Sequence, residues 1–291
     1  MYINNNRLIS KIKHILTLLR KAGTFYFIFC ILFNKIKDKS WSMISYAKTL
    51  INKQNIIRFI FLNFPFLYLH IWFILALLYC YLFMFVLYNL NSNIITNSTF
   101  EYFSVIFGII GYHLLTEFRN IKLVKYFISK FKFKINISIL FIFRALPFFM
   151  IGIIIRKNKI KPIKTFYIVF NLILGSILAC IEMALYKVSL NAYIGTYFQL
   201  QALISICLKE RHDYNKYFEV FAYIGRELSD RIYIYHIAVK YIISLLLGKL
   251  NIIPQRWFLY IRFFFELLIS IIFSYLMKTL NNIKIFKLLF L

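Results

Sequence analysis

Acidic side chains, glycine, proline and cysteine are all scarce in this sequence. Ten Asp and Glu stand against 36 Lys and Arg in 291 residues, a formal charge of +26. Eight glycines and four prolines are few, and no connecting segment is rich enough in Pro, Gly or Ser to join separate folded domains. The four cysteines, Cys30, Cys80, Cys180 and Cys207, lie in apolar runs, form no CxxC and show no metal-site spacing, so they read as small packing groups. The GxSxG, P-loop, GxGxxG and HExxH signatures of common soluble enzymes are missing. The opening MYINNNR is polar and leads into no apolar core with a small-residue cleavage site, so no cleaved signal peptide is expected. There is no internal repeat.

What the chain has is apolar surface. It is 62% hydrophobic with a mean hydropathy of +0.73, where a soluble domain is about 45–50% apolar. A core can hide only part of such an excess, and the rest must face lipid or protein. A bilayer core needs roughly 20 apolar residues as helix. Eight stretches qualify: Ile15–Phe33, Phe66–Leu90, Phe100–Thr116, Ile135–Ile155, Thr165–Lys187, Leu190–Leu208, Ile232–Gly248 and Trp257–Met277. The expectation is one all-α integral membrane domain over residues 1–291, a bundle of about eight transmembrane helices. Helices are the expected form because lipid offers backbone groups no partners.

The basic residues fall mostly between the apolar runs, in Asn34–Pro65, Glu117–Lys134, Arg156–Lys164 and Lys209–Arg231. That distribution points to anionic headgroups rather than nucleic acid as the partner of the charge. It does not orient the bundle, because alternate connections carry similar numbers of Lys and Arg. Trp72, Trp257 and many of the tyrosines fit interfacial belts.

Ionisable residues inside the spans cost about 2.5–3.5 kcal/mol each on insertion scales and are functional leads. Arg144 lies mid-span in FIFRALPFFMIG, followed by Pro147 and Gly152; a proline there removes a backbone donor and bends a helix. Arg144 would either bind an anionic group in a cavity or pair with a buried carboxylate. Glu182, in ILACIEMALY, is the first candidate for that carboxylate, because Glu266 already has Arg262 four residues before it. His236 shares a helical face with Tyr233 and Lys240, and imidazole suits proton transfer, although a lone packed His is the commoner case. His70 and His113 have no evident partner in the sequence.

Several segments, taken in order, resemble membrane-bound acyltransferase family 3, the integral membrane enzymes that acylate bacterial sugars and cell-surface glycans. HIWFILALLYCYLF from His70, FRALPFFMIGIIIRK from Phe143, CIEMALY from Cys180 and IGRELSDRIYIYHIAV from Ile224 are similar to its successive motifs. KIKHIL, from Lys11, stands where the family carries Arg-x-x-Arg. The matching positions are Lys11 and His14, neither of which can form the bidentate contact that Arg gives. The resemblance implies transfer of an acyl group, expected to be acetyl, from acyl-CoA to a sugar hydroxyl. Lys11 and His14 would lie at the donor, and Arg144, Glu182 and His236 would carry the chemistry without a metal. It further implies a multi-pass protein of the bacterial cytoplasmic membrane. The family's first two helices, with the expected proton-accepting His, match nothing here. The resemblance therefore covers the last eight of ten helices, as expected of a misassigned start, of gene decay leaving an inactive remnant, or of a true variant. Two other classes remain open: a multi-pass glycan or lipid transporter, and a polysaccharide polymerase or non-catalytic membrane partner.

Overall fold

A computed structural model describes residues 5–37, 42–44, 48, 52, 55, 71–91, 93, 97–116, 141–157, 161–186, 193–210, 219–249 and 256–280. Their regular structure is helical throughout, with no strand among the described residues. The helices are α1 (Asn5–Lys37), α2 (Trp72–Leu90), α3 (Ser98–Thr116), α4 (Phe141–Arg144), α5 (Leu146–Arg156), α6 (Thr165–Tyr186), α7 (Ile194–Glu210), α8 (Glu219–Tyr223), α9 (Ser229–Lys249) and α10 (Arg256–Leu280), with a π-helical turn, Ile224–Leu228, between α8 and α9. The described parts of the predicted apolar stretches fall almost entirely on these helices. Most of Asn34–Pro65, all of Glu117–Lys134 and His70 lie outside the described residues.

Three helical segments, Asn5–Ile36, Trp72–Leu90 and Thr165–Ala184, are long and apolar enough to cross a membrane. The other helices fall short of that in length or in apolar character. The helix α5 has 11 residues, and α9 contains Asp230, Arg231, Lys240 and Lys249. Outward-facing Phe166, Tyr167, Phe170, Ile173 and Ile177 line α6 with apolar side chains, a surface that a water-soluble monomer rarely tolerates in so continuous a form.

The stretch predicted as one span over Ile135–Ile155 is interrupted in its described part. The helix α4 ends at Arg144, Ala145 breaks the regular pattern, and α5 resumes at Leu146 with Pro147 in its first turn. Proline lacks the N–H that would continue the ladder, but it is well suited to the start of a helix.

Two compact units are distinguished, Met1–Ile9 with Tyr79–Lys216, and Ser10–Leu78 with Tyr217–Leu291. In the first, α3 packs against α4 and α5 through its glycines. A Cβ on Gly108 would lie 2.2 Å from Pro147 Cγ, and one on Gly111 would lie 2.4 Å from the Phe143 ring. The helices α6 and α7 form an antiparallel hairpin whose backbones nearly touch at Gly175 and Gly195. Polar pairs cross it at three levels: Lys209 Nζ donates to Thr165 Oγ1 (2.8 Å), Asn171 Nδ2 to Gln201 Oε1 (3.2 Å) and Gln199 Nε2 to Ser176 Oγ (3.0 Å). Small residues at such a crossing let helices approach closely, and the side-chain bonds tie them where lipid offers no alternative.

In the second unit, α1 buries Ala22, Tyr26 and Cys30, one face at four-residue spacing. The Tyr26 hydroxyl donates to Ile234 O of α9. The ring pairs Phe25–Tyr235 (4.8 Å) and Phe33–Tyr241 (5.5 Å) advance in step along both helices, so α1 and α9 run parallel. The helix α10 runs antiparallel to α9, with Phe273 on Tyr235 (5.3 Å) and Arg262 Nη2 donating to Ser244 Oγ (2.8 Å).

Candidate functional site

Arg144 is the last residue of α4, at the interruption before Ala145. Its side chain lies outside the described atoms. The sequence places it mid-span, and the fold places its backbone at a one-residue irregularity, Ala145, just before Pro147. Carbonyls freed by such a stop are tolerated at membrane depth only where protein or a cavity takes them up.

Glu182 is buried, 8% exposed, near the end of α6. Its carboxylate accepts from Ile194 N through both oxygens, at 2.8 Å and 3.1 Å. Ile194 is the first residue of α7, so the carboxylate sits on the positive end of a helix. Next to it, Thr196 Oγ1 accepts from Tyr193 N at 3.1 Å, a hydroxyl version of the capping box. The sequence reading pairs Glu182 with Arg144, whose side chain lies outside the described atoms; what the structure describes is Glu182 capping the start of α7. Glu266, set aside as locally paired, does meet Arg262, whose Nε donates to Glu266 Oε1 at 2.6 Å.

His236 is half-buried on α9, and its Nδ1 lies 2.8 Å from Tyr233 O and 3.3 Å from Ile232 O. Carbonyl oxygens only accept, so Nδ1 carries a proton. In the neutral ring, Nε2 then holds the lone pair, the arrangement a general base requires. The Tyr233 ring is 5.8 Å away and itself rests against Phe73 of α2 (5.5 Å). Lys11 and His14 are exposed, one turn apart on α1, which is continuous helix there. They offer an anionic ligand one flexible point charge and one imidazole on a single face, with no fork.

Arg144 and Glu182 belong to the first unit; Lys11, His14 and His236 belong to the second. Two features of the first unit escape sequence reasoning. Glu101, 1% exposed in the first turn of α3, forms an ion pair with Lys157, just past the end of α5. His113 is buried, edge-on to Tyr197 of α7 (5.5 Å), and Tyr197 stacks on Phe148 of α5 (6.0 Å). Both pairings join residues more than 50 positions apart, so no local spacing announces them. The available signals were Glu101 and His113 themselves, ionisable residues inside a predicted span. Among the described residues, no three His, Cys, Asp or Glu gather as a metal ion would require. No known protein family, curated protein or solved structure matches this chain.

Proposed function

We propose that this chain is a multi-pass membrane acyltransferase of about eight transmembrane helices, moving an acyl group from a CoA thioester to a sugar hydroxyl at the bacterial cytoplasmic membrane. The observation that carries this reading is the fixed cation at a helix interruption: Arg144 closes α4 within an otherwise apolar stretch. Arginine does not lose its charge, so it suits an oxyanion that forms in a water-poor site. In the proposed step the sugar oxygen bonds to the thioester carbonyl carbon while a general base takes the hydroxyl proton. Negative charge gathers on the carbonyl oxygen opposite Arg144. The C–S bond then breaks, the acyl ester remains on the sugar, and the thiolate takes up the proton. Glu182 contributes by capping the start of α7.

The test is transfer of radiolabelled acetyl from acetyl-CoA into membrane glycan, with wild-type and variant chains matched for membrane content. Arg144→Ala should lower transfer by about 100- to 1,000-fold, as loss of an oxyanion donor does. Wild-type transfer in Arg144→Ala removes that residue from the chemistry. The same interrupted helix favours one other reading, a glycan or lipid transporter, whose sites form at broken helices. Passage of glycan without acylation would select it.

A further inference from the structure

The α6–α7 hairpin leaves hydrogen-bonding groups exposed where lipid would surround them. Thr165–Ala184 of α6 is long and apolar enough to cross a membrane. At roughly 1.5 Å per residue, Asn171 lies about 9 Å along it from Thr165, inside a hydrocarbon core about 30 Å thick. Asn171 is buried, and its Nδ2 donates to Gln201 Oε1 of α7, but Gln201 itself is exposed. That bond leaves the N–H groups of Gln201 and the carbonyl oxygen of Asn171 with no partner among the described residues. The opposite flank of the hairpin differs. There the Ser176 hydroxyl is used twice, donating to Leu172 O (2.8 Å) and accepting from Gln199 Nε2, and Gln199 is half-buried.

Around the Asn171–Gln201 pair the hairpin is apolar. Tyr167, Leu174 and Ile181 follow at seven-residue spacing on the Asn171 flank of α6, and Ile194 and Leu208 stand seven residues either side of Gln201 on α7. Tyr167, Ile181 and Ile194 are exposed. Such spacing keeps side chains along one seam, and a single polar position within a seam fixes the register of the helices that meet there.

We propose that this flank docks a second copy of the chain within the bilayer. Asn171 and Gln201 lie at one level of the hairpin, so a two-fold axis along the membrane normal brings each pair against the other. Gln201 of each copy then donates to the Asn171 carbonyl of the other, and each hairpin supplies what its twin lacks. Lipid offers an amide no such partner, and leaving one unpaired in hydrocarbon is costly. The inference rests on α6 crossing the bilayer and not on acyl transfer.

The experiment uses the full chain in a Cys180→Ser/Cys207→Ser background, which removes the exposed thiols. Donor- and acceptor-labelled chains are mixed in phosphatidylcholine liposomes, and energy transfer is followed as lipid is added. A dimer should form, and Gln201→Leu should weaken it about tenfold, the scale of two symmetric hydrogen bonds between helices in a membrane. Ile173→Leu, on the outward side of α6, should dimerise as the background chain does. Oxidation should link Tyr167→Cys or Leu174→Cys to itself and leave Ile173→Cys monomeric. Should Gln201→Leu disturb the hairpin, this cross-linking in chains that keep Gln201 still decides. A monomer at every dilution, association indifferent to Gln201→Leu in a folded hairpin, or cross-linking through Ile173→Cys instead overturns the interface. In native membranes, an adduct at a mass other than twice that of the chain identifies a different partner and overturns it too. A dimer without acyl transfer leaves this inference standing, whereas an acylating monomer removes it alone.

Discussion

Single residues in this protein act mostly through charge that has little water around it. The Glu101–Lys157 pair is asymmetric: the carboxylate is almost fully buried, and the ammonium keeps 24% of its surface. Removing the lysine takes a cationic partner from a buried carboxylate, whereas removing the acid leaves a lysine that can reach solvent. Lys157→Gln should therefore cost about 3–5 kcal/mol of stability, and Glu101→Gln distinctly less, read from paired unfolding curves in one detergent. Equal losses would mean that the pair is not buried as described. The exposed Glu227–Lys278 pair, beyond the apolar stretches, makes a pH prediction. The hydrogen bond and charge of Lys278 hold Glu227 below its ordinary value of 4.5, and the hydrogen bonds to Glu227 and Tyr223 hold Lys278 above 10.5. The carboxylate's contribution is present above 4.5 and lost as pH falls through its lowered value; the ammonium's is present below 10.5 and lost as pH rises through its raised value. Lys278→Gln should flatten both limbs of the stability–pH profile, and an unchanged acid limb would count against the pair. His236 shows what sequence alone withholds about a residue: its type suggests base chemistry, but the protonated nitrogen follows from the carbonyl of Tyr233.

At the level of helices, small residues decide which pairs close up. The α6–α7 hairpin depends on two missing side chains, since a Cβ on Gly195 would lie 2.1 Å from Gly175 O and 2.6 Å from Ala179 N. Backbone cannot yield as a flexible side chain does. Gly195→Ala should therefore destabilise by about 1–3 kcal/mol, the ordinary scale of overpacking. Gly152→Ala, with nothing within 4 Å, should be neutral or gain up to about 1 kcal/mol from helix propensity. Thermal midpoints of the two variants test this directly, and similar behaviour in both would deny the close approach. The interruption at Ala145 has its own cause. Pro147 cannot continue a helix entering from α4, and Gly108 makes room for its ring. Proline was legible as a bend. That it would divide the segment immediately after Arg144 depends on α3.

Across the whole molecule, the apolar excess and the three helices able to cross a bilayer set the solvent. The chain should stay in the membrane fraction through alkaline carbonate washing and leave it only with detergent; release by carbonate would remove the transmembrane reading. Helix positions were readable from the sequence because a lipid-facing helix is apolar along its whole length, and such runs are continuous and local. Candidate charges were readable for the same reason, as costly exceptions within those runs. Partners were not. That Glu182 meets the N-terminus of α7 was not legible, because a helix end offers its free N–H groups only once the chain has folded. Composition and periodicity, being short-range, determined where helices form and which charges lie within them. Only tertiary packing, which brings distant backbone and side chains within bonding reach, decided what those charges meet.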